Sequence, residues 1–137
     1  MKITLFLLLG ILPFTNSRAQ IVDLTGTWTM FEFSWINAQG TQKTTEDQIK
    51  ADGGTTEYVF SKDGNFKLTS NMADESTGIE TYEGTWKLEK NKLILKLKFG
   101  EEMLDLVWNA EFKDNVLNLS RKSPDGSVTV INSFRRK

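Results

Sequence analysis

The chain contains neither cysteine nor histidine. Without thiolate or imidazole there is no ordinary zinc, copper or non-haem iron site. A histidine-assisted nucleophile and the common neutral-pH general base are excluded as well. Catalysis would have to rest on Asp, Glu, Lys or Tyr, and no spacing in the chain draws carboxylates toward one point. The expectation is therefore a protein that is not an enzyme, with no catalytic residue, no metal and no cofactor. Missing cysteine also removes disulfide staples, so packing alone must hold the fold, and it excludes the lipid attachment of exported bacterial lipoproteins. Basic excess is absent too. Lys and Arg number 17 against 18 Asp and Glu, a net charge of −1, and a mixed-sign, mildly acidic surface argues against nucleic acid, which needs a basic footprint.

The apolar run Ile3 to Leu12 falls well short of the roughly 20 residues that span a bilayer core of about 30 Å, so no transmembrane anchor is expected. The run belongs instead to a three-part export signal. Lys2 gives the positive start, Ile3–Leu12 the apolar centre, and Ser17-Arg18-Ala19 the small residues that a signal peptidase reads. Residues 1–19 are expected to be removed, leaving 20–137 as one domain that begins at Gln20 in the periplasm or outside the cell. The cut takes away Lys2 and Arg18 and no acid, which moves the formal charge from −1 to −3.

From Gly26 onward the hydrophobic period is two. Eight alternating or β-rich runs, separated by turn residues, predict strands over 26–36, 56–62, 65–72, 78–89, 92–99, 103–112, 116–122 and 127–136. Turn signals include Asp63-Gly64, Lys90-Asn91, Asp114-Asn115 and Pro124-Asp125-Gly126. Short turns make a meander, and closing eight strands into an up-and-down barrel abolishes the exposed edges of an open sheet. That is the predicted fold: an all-β, eight-stranded antiparallel barrel, monomeric. A barrel of eight strands either fills its interior with side chains or holds one small ligand. The connection over 37–55 is the exception to the short turns. It is polar, carries Gly40 and Gly53-Gly54, and is long enough to be a functional loop over one mouth, with one or two helical turns over 45–51 capped at Thr44 or Thr45.

The tripeptide Gly-Thr-Trp occurs twice, at Gly26-Thr27-Trp28 and Gly84-Thr85-Trp86. In each the glycine permits a bend or a close approach of chains, and the tryptophan is expected to plug the interior. Gly26, Trp28, Gly84 and Trp86 are thus structural candidates at the barrel end. Strand 26–36 is also apolar on both faces, Phe31, Phe33 and Trp35 alternating against Trp28 and Met30. Either a bulge switches faces or an aromatic stripe is exposed. Glu32, Ser34 and Asn132 are candidates to point inward and orient a polar head group.

Leu24-Thr25-Gly26-Thr27-Trp28, Phe60-Ser61-Lys62-Asp63-Gly64-Asn65-Phe66 and Tyr82-Glu83-Gly84-Thr85-Trp86, in that order, resemble the small bacterial lipocalin-like domains of the lipocalin and calycin group. The resemblance covers residues 22–134. It implies that the Gly-x-Trp residue closes the end opposite the mouth, and that a basic residue late in the chain packs over its ring; Arg121, Arg135 and Arg136 all qualify. Independently of the resemblance, the closed barrel, the long first loop and the lack of catalytic chemistry point to a small hydrophobic molecule or lipid as partner at the open end, with Tyr58, Phe60, Phe66, Tyr82, Leu95, Leu97, Leu106 and Trp108 of the inner face as candidate lining. The competing expectation is a filled interior in a protein-interaction or envelope-associated module.

Overall fold

The computed structural model describes residues 23–71 and 80–137; the expected signal segment lies outside the described residues. Among these described residues nine strands and one short helix follow in order: β1 (Gly26–Asn37), β2 (Gly40–Thr44), α1 (Glu46–Ala51), β3 (Thr56–Phe60), β4 (Asn65–Ser70), β5 (Glu80–Glu89), β6 (Lys92–Phe99), β7 (Glu102–Lys113), β8 (Val116–Lys122) and β9 (Thr129–Arg136). Every pairing is antiparallel, and β3 through β9 pair with their chain neighbours. Pairing of β1 with both β3 and β9 closes β1 and β3–β9 into an eight-stranded barrel.

Alternation sets the two faces. In β6, Leu93 and Leu95 are fully buried, whereas Lys92, Lys96 and Lys98 are exposed. Leu24, Trp28, Met30, Ile49, Tyr58, Phe60, Phe66, Leu93, Leu95, Trp108, Leu117, Leu119 and Phe134 form one buried cluster. Removing each such side chain from water contributes about 1.5–3 kcal/mol. The β7–β8 hairpin turns on Asp114 and Asn115, both at positive φ (53° and 62°), the geometry whose twist suits a two-residue hairpin and which Asn and Asp tolerate.

Residues 37–55, whose composition predicts a loop, are largely regular. Asn37↔Gly40 opens a hairpin in which β2 runs back along β1 as far as Phe33↔Thr44. Thr45 then caps α1: its side chain accepts from the Gln48 amide, and the Gln48 side chain accepts from the Thr45 amide, a reciprocal capping box. One edge of β1 is therefore shared, β3 taking residues 26–29 and β2 residues 33–37. α1 packs against β1, and its Ile49, 4% exposed, belongs to the core cluster and faces a small cavity with Thr29, Met30 and Phe31.

The two-faced apolar character of β1 is resolved by a bulge. Met30 pairs with Phe134 and Glu32 with Ser133, leaving Phe31 without an opposite residue on β9. One extra residue reverses the alternation. Phe33 and Trp35 consequently share the inner face with Trp28 and Met30, paired with Asn132 and Val130. Glu32 and Ser34 are displaced outward, contrary to the inward placement considered for them, whereas Asn132 does face inward, between Phe33 and Leu119.

Candidate functional site

The closed end of the barrel is built around Trp28. Its indole Nε1–H donates to the Leu24 carbonyl at 2.9 Å, Phe112 meets its ring edge-on at 5.7 Å, and the Arg136 guanidinium lies 4.6 Å from its centroid. Arg136 is itself held, donating to the carbonyls of Thr25 and Asp23 at 2.7 Å each. The three late arginines cap three different rings: Arg136 covers Trp28, Arg135 covers Phe31 at 3.9 Å, and Arg121 covers Trp108 at 4.8 Å. Arg135 also bonds Glu46 at 2.9 Å, which ties α1 to β9. Lys50 and Arg135 together hold the Glu46 carboxyl below its ordinary range.

The second Gly-Thr-Trp repeats the device. Trp86 Nε1–H donates to the Ser61 carbonyl at 3.0 Å, and its ring meets Phe60 edge-on at 5.3 Å. At Gly84 the neighbouring chain is extremely close: a Cβ there would lie 1.8 Å from the Lys96 carbonyl oxygen and 2.8 Å from Phe66 Cε1.

All eight candidate lining residues fall on the inner face. The ladders Tyr58↔Leu68↔Tyr82, Phe60↔Phe66↔Gly84↔Leu97, Trp86↔Leu95↔Leu106 and Leu93↔Trp108 put them in register around the barrel. Depth divides them. Phe60, Phe66 and Leu95 are buried, and Phe60 stacks with Tyr58 at 5.3 Å and meets Trp86, so these three belong to the packed lower interior. Higher up, Leu68, Tyr82, Leu97 and Leu106 are only half-buried, and inward-facing Leu104, opposite Leu97, is 50% exposed. The inner face thus opens progressively toward the end where β7 begins.

Polar groups also face the interior, and composition gave little signal of them. Tyr58 is 4% exposed, and burial pushes its hydroxyl up to about 12, with the Arg121 charge opposing. The Tyr82 hydroxyl donates to Glu80, and this bond leads the causes that raise its pKa. Trp108 Nε1 is buried with no hydrogen-bond partner among the described residues. Alternation identifies all these positions as inward; only the folded barrel brings Arg121 to Trp108 and Tyr58.

A second concavity, of about 670 Å³, lies on the opposite face of the sheet, lined by Glu32, Ser34 and Ile36 of β1, Thr41 and Lys43 of β2, and residues of β7, β8 and β9 including Asn118 and Ser133. Ser34 and Ser133 are buried there. Ser133 Oγ donates to Asn118 at 2.6 Å, and Lys43 pairs with Glu32 at 3.2 Å. Among the described residues no cluster of three acidic side chains is positioned to hold a metal ion, and no helix is long and apolar enough to cross a membrane.

The family model described as "Lipocalin-like domain" matches residues 24–122. The chain belongs to the lipocalin-like domain family. Its fold is shared with a lipocalin-like protein from Bacteroides uniformis, at 19% identity and a TM-score of 0.53 over 84% of this chain and 99% of that one. A protein from Bacteroides eggerthii is alike to the same degree, at 18% identity and a TM-score of 0.53 over 84% of this chain and all of the other. At such identities the likeness is one of fold. No curated protein matches the chain. Within this lipocalin-like barrel, the half-open upper interior is the candidate site.

Proposed function

We propose that this lipocalin-like protein binds a small hydrophobic molecule in the upper half of its barrel. One observation carries the reading: inward-facing apolar side chains pass from fully buried at the level of Phe60, Leu93 and Leu95 to half exposed at Leu104. Apolar surface turned inward yet left accessible gains by burial against an apolar guest. The protein's role is binding rather than catalysis, and it acts as a monomer outside the cytoplasm after loss of residues 1–19; the charged start, apolar run and Ser17-Arg18-Ala19 support that export. Native mass spectrometry of protein from its own host tests the binding reading. A co-purified apolar molecule, lost on Leu97→Arg substitution, is expected; protein that carries nothing and binds no neutral apolar dye would remove it.

The outer concavity favours a second reading, docking of another macromolecule on β2, β1, β9 and β8. A Ser133→Arg substitution should then abolish capture of that partner while leaving dye binding unchanged.

A further inference from the structure

We propose that the outer concavity takes a neutral saccharide, a segment of a glycan chain laid across the strands. This rests on the second reading above, docking of a macromolecule on that face, and names the partner's chemistry. Two adjacent ladders pave the site. Lys43↔Ser34↔Ile131↔Ser120↔Asn109 crosses from β2 to β7. Glu32↔Ser133↔Asn118↔Glu111 runs beside it from β1 to β7. Neighbouring strands lie about 4.8 Å apart, so the first ladder covers about 19 Å, more than a single sugar ring spans.

The floor is made of hydroxyls. Ser34 and Ser133 are 8% and 7% exposed, yet both line the open concavity. Among the described residues the Ser34 hydroxyl has no hydrogen-bond partner, and a buried polar group left unpaired costs free energy. A ligand hydroxyl removes that cost, because it donates and accepts at once. Ser133 gives its proton to Asn118 Oδ1 at 2.6 Å, so its own oxygen remains to accept and the Asn118 amide to donate. Asn91 and Asn109 add carboxamides on the β7 side, and Ile36 and Ile131 offer small apolar patches to the C–H faces of a sugar.

The same lining disfavours other partners. Lys43 is neutralised by Glu32 at 3.2 Å, and Glu111 adds an acid at the exposed rim. The lining thus carries one negative charge, which repels an acidic polymer. Among the described residues it holds no tryptophan, tyrosine or arginine, the side chains that anchor protein interfaces. The strands of the floor, β1, β9 and β8, already pair with one another, so an extended peptide finds no free edge there.

The test follows backbone amide shifts of the purified protein by two-dimensional NMR on addition of maltotriose, cellotriose, mannotriose or triacetylchitotriose. Trigalacturonate serves as the acidic control. At least one neutral trisaccharide is expected to give saturable shifts centred on Ser34, Ser120 and Ser133, with none from trigalacturonate. Ser34→Ala should raise the dissociation constant about three- to tenfold, the effect of one hydrogen bond. Ser120→Arg should abolish binding while inner-wall amides such as that of Leu95 keep their peak positions, the sign of an intact barrel. Equal shifts from trigalacturonate, or shifts confined to the barrel interior, would overturn the neutral-saccharide site. Failure of all four neutral compounds to shift any amide would overturn it too. A protein partner captured by the parent and lost on Ser133→Arg would then leave the docking reading standing, and no capture would remove both.

Discussion

Trp28 concentrates the packing of the closed end in one side chain: fully buried, hydrogen-bonded through its indole, met edge-on by Phe112 and covered by Arg136. Replacement by alanine should cost about 3–5 kcal/mol, the usual loss for a large aromatic in a core, read as a drop in urea midpoint at unchanged slope. Gly84 acts through absence. Because a Cβ would meet the Lys96 carbonyl at 1.8 Å, backbone rather than a mobile side chain must yield. Gly84→Ala should cost about 1–3 kcal/mol by overpacking, and a melting temperature equal to the parent's would contradict the close approach. At Asp125, hydrogen bonds from the Ser123 and Ser127 side chains and the Ser127 amide lower the carboxyl pKa to about 2. A depressed folded-state pKa means stabilisation that is present above the ordinary value of 3.8 and is lost as pH falls toward 2. The stability difference between parent and Asp125→Asn should therefore be constant from pH 5 to 7 and shrink between pH 4 and 2, as followed by chemical denaturation.

At the scale of elements, β1 does most to shape the molecule. Its bulge at Phe31 separates a lower half paired with β3 from an upper half paired with β2, and α1 packs against it with Ile49 inserted in the core. The segment 37–55 is accordingly an integral part of the wall. Ile49→Ala should cost about 2–5 kcal/mol, as for other buried aliphatic residues, and replacing 37–55 by a tight turn should lower stability, not only ligand retention. Hydrogen exchange offers an independent check. Amides of β2 that bond β1 should be protected even in ligand-free protein, with fast exchange confined to turn positions such as Ala38 and Gln39. The remaining edge of β2 is short and carries Lys43, a charge of the kind that discourages edge-to-edge pairing.

The whole molecule is a barrel that packs tightly at one end and loosens toward the other. A guest bound in the loose half stabilises the protein by mass action, by about 2.7 kcal/mol at a hundredfold excess over its dissociation constant. Melting temperature should thus rise with ligand concentration in the parent and far less in Leu97→Arg. Export belongs to this scale too. Intact-mass measurement of protein recovered outside the cytoplasm should give a chain starting at Gln20, and retention of residues 1–19 there would contradict cleavage.

The class of fold, the faces of the strands and the hairpin turns were legible because each is written locally. A period of two in Leu93, Leu95 and Leu97 assigns sides with no knowledge of partners, and Asp114-Asn115 suits its turn through its own backbone preferences. The family, too, is visible in short contiguous motifs around Trp28, Gly64 and Trp86. Other features depend on registers that exist only after closure of β1 onto β9. Arg135 and Arg136 are neighbours in the chain and point to opposite faces, but that one finds Phe31 and the other Trp28 follows from pairing across more than a hundred residues. Bulging of Phe31 turned Phe33 and Trp35 inward and Glu32 and Ser34 outward, because one extra residue on a single strand inverts everything beyond it. Within 37–55 the capped helical turns were legible in the sequence, whereas β2 and the burial of Ile49 escaped a compositional reading, since they depend on the free edge of β1 and on a core that accepts Ile49. The unpaired indole of Trp108 beneath Arg121 was likewise decided in three dimensions: whether a buried donor finds an acceptor depends on what distant strands bring to it.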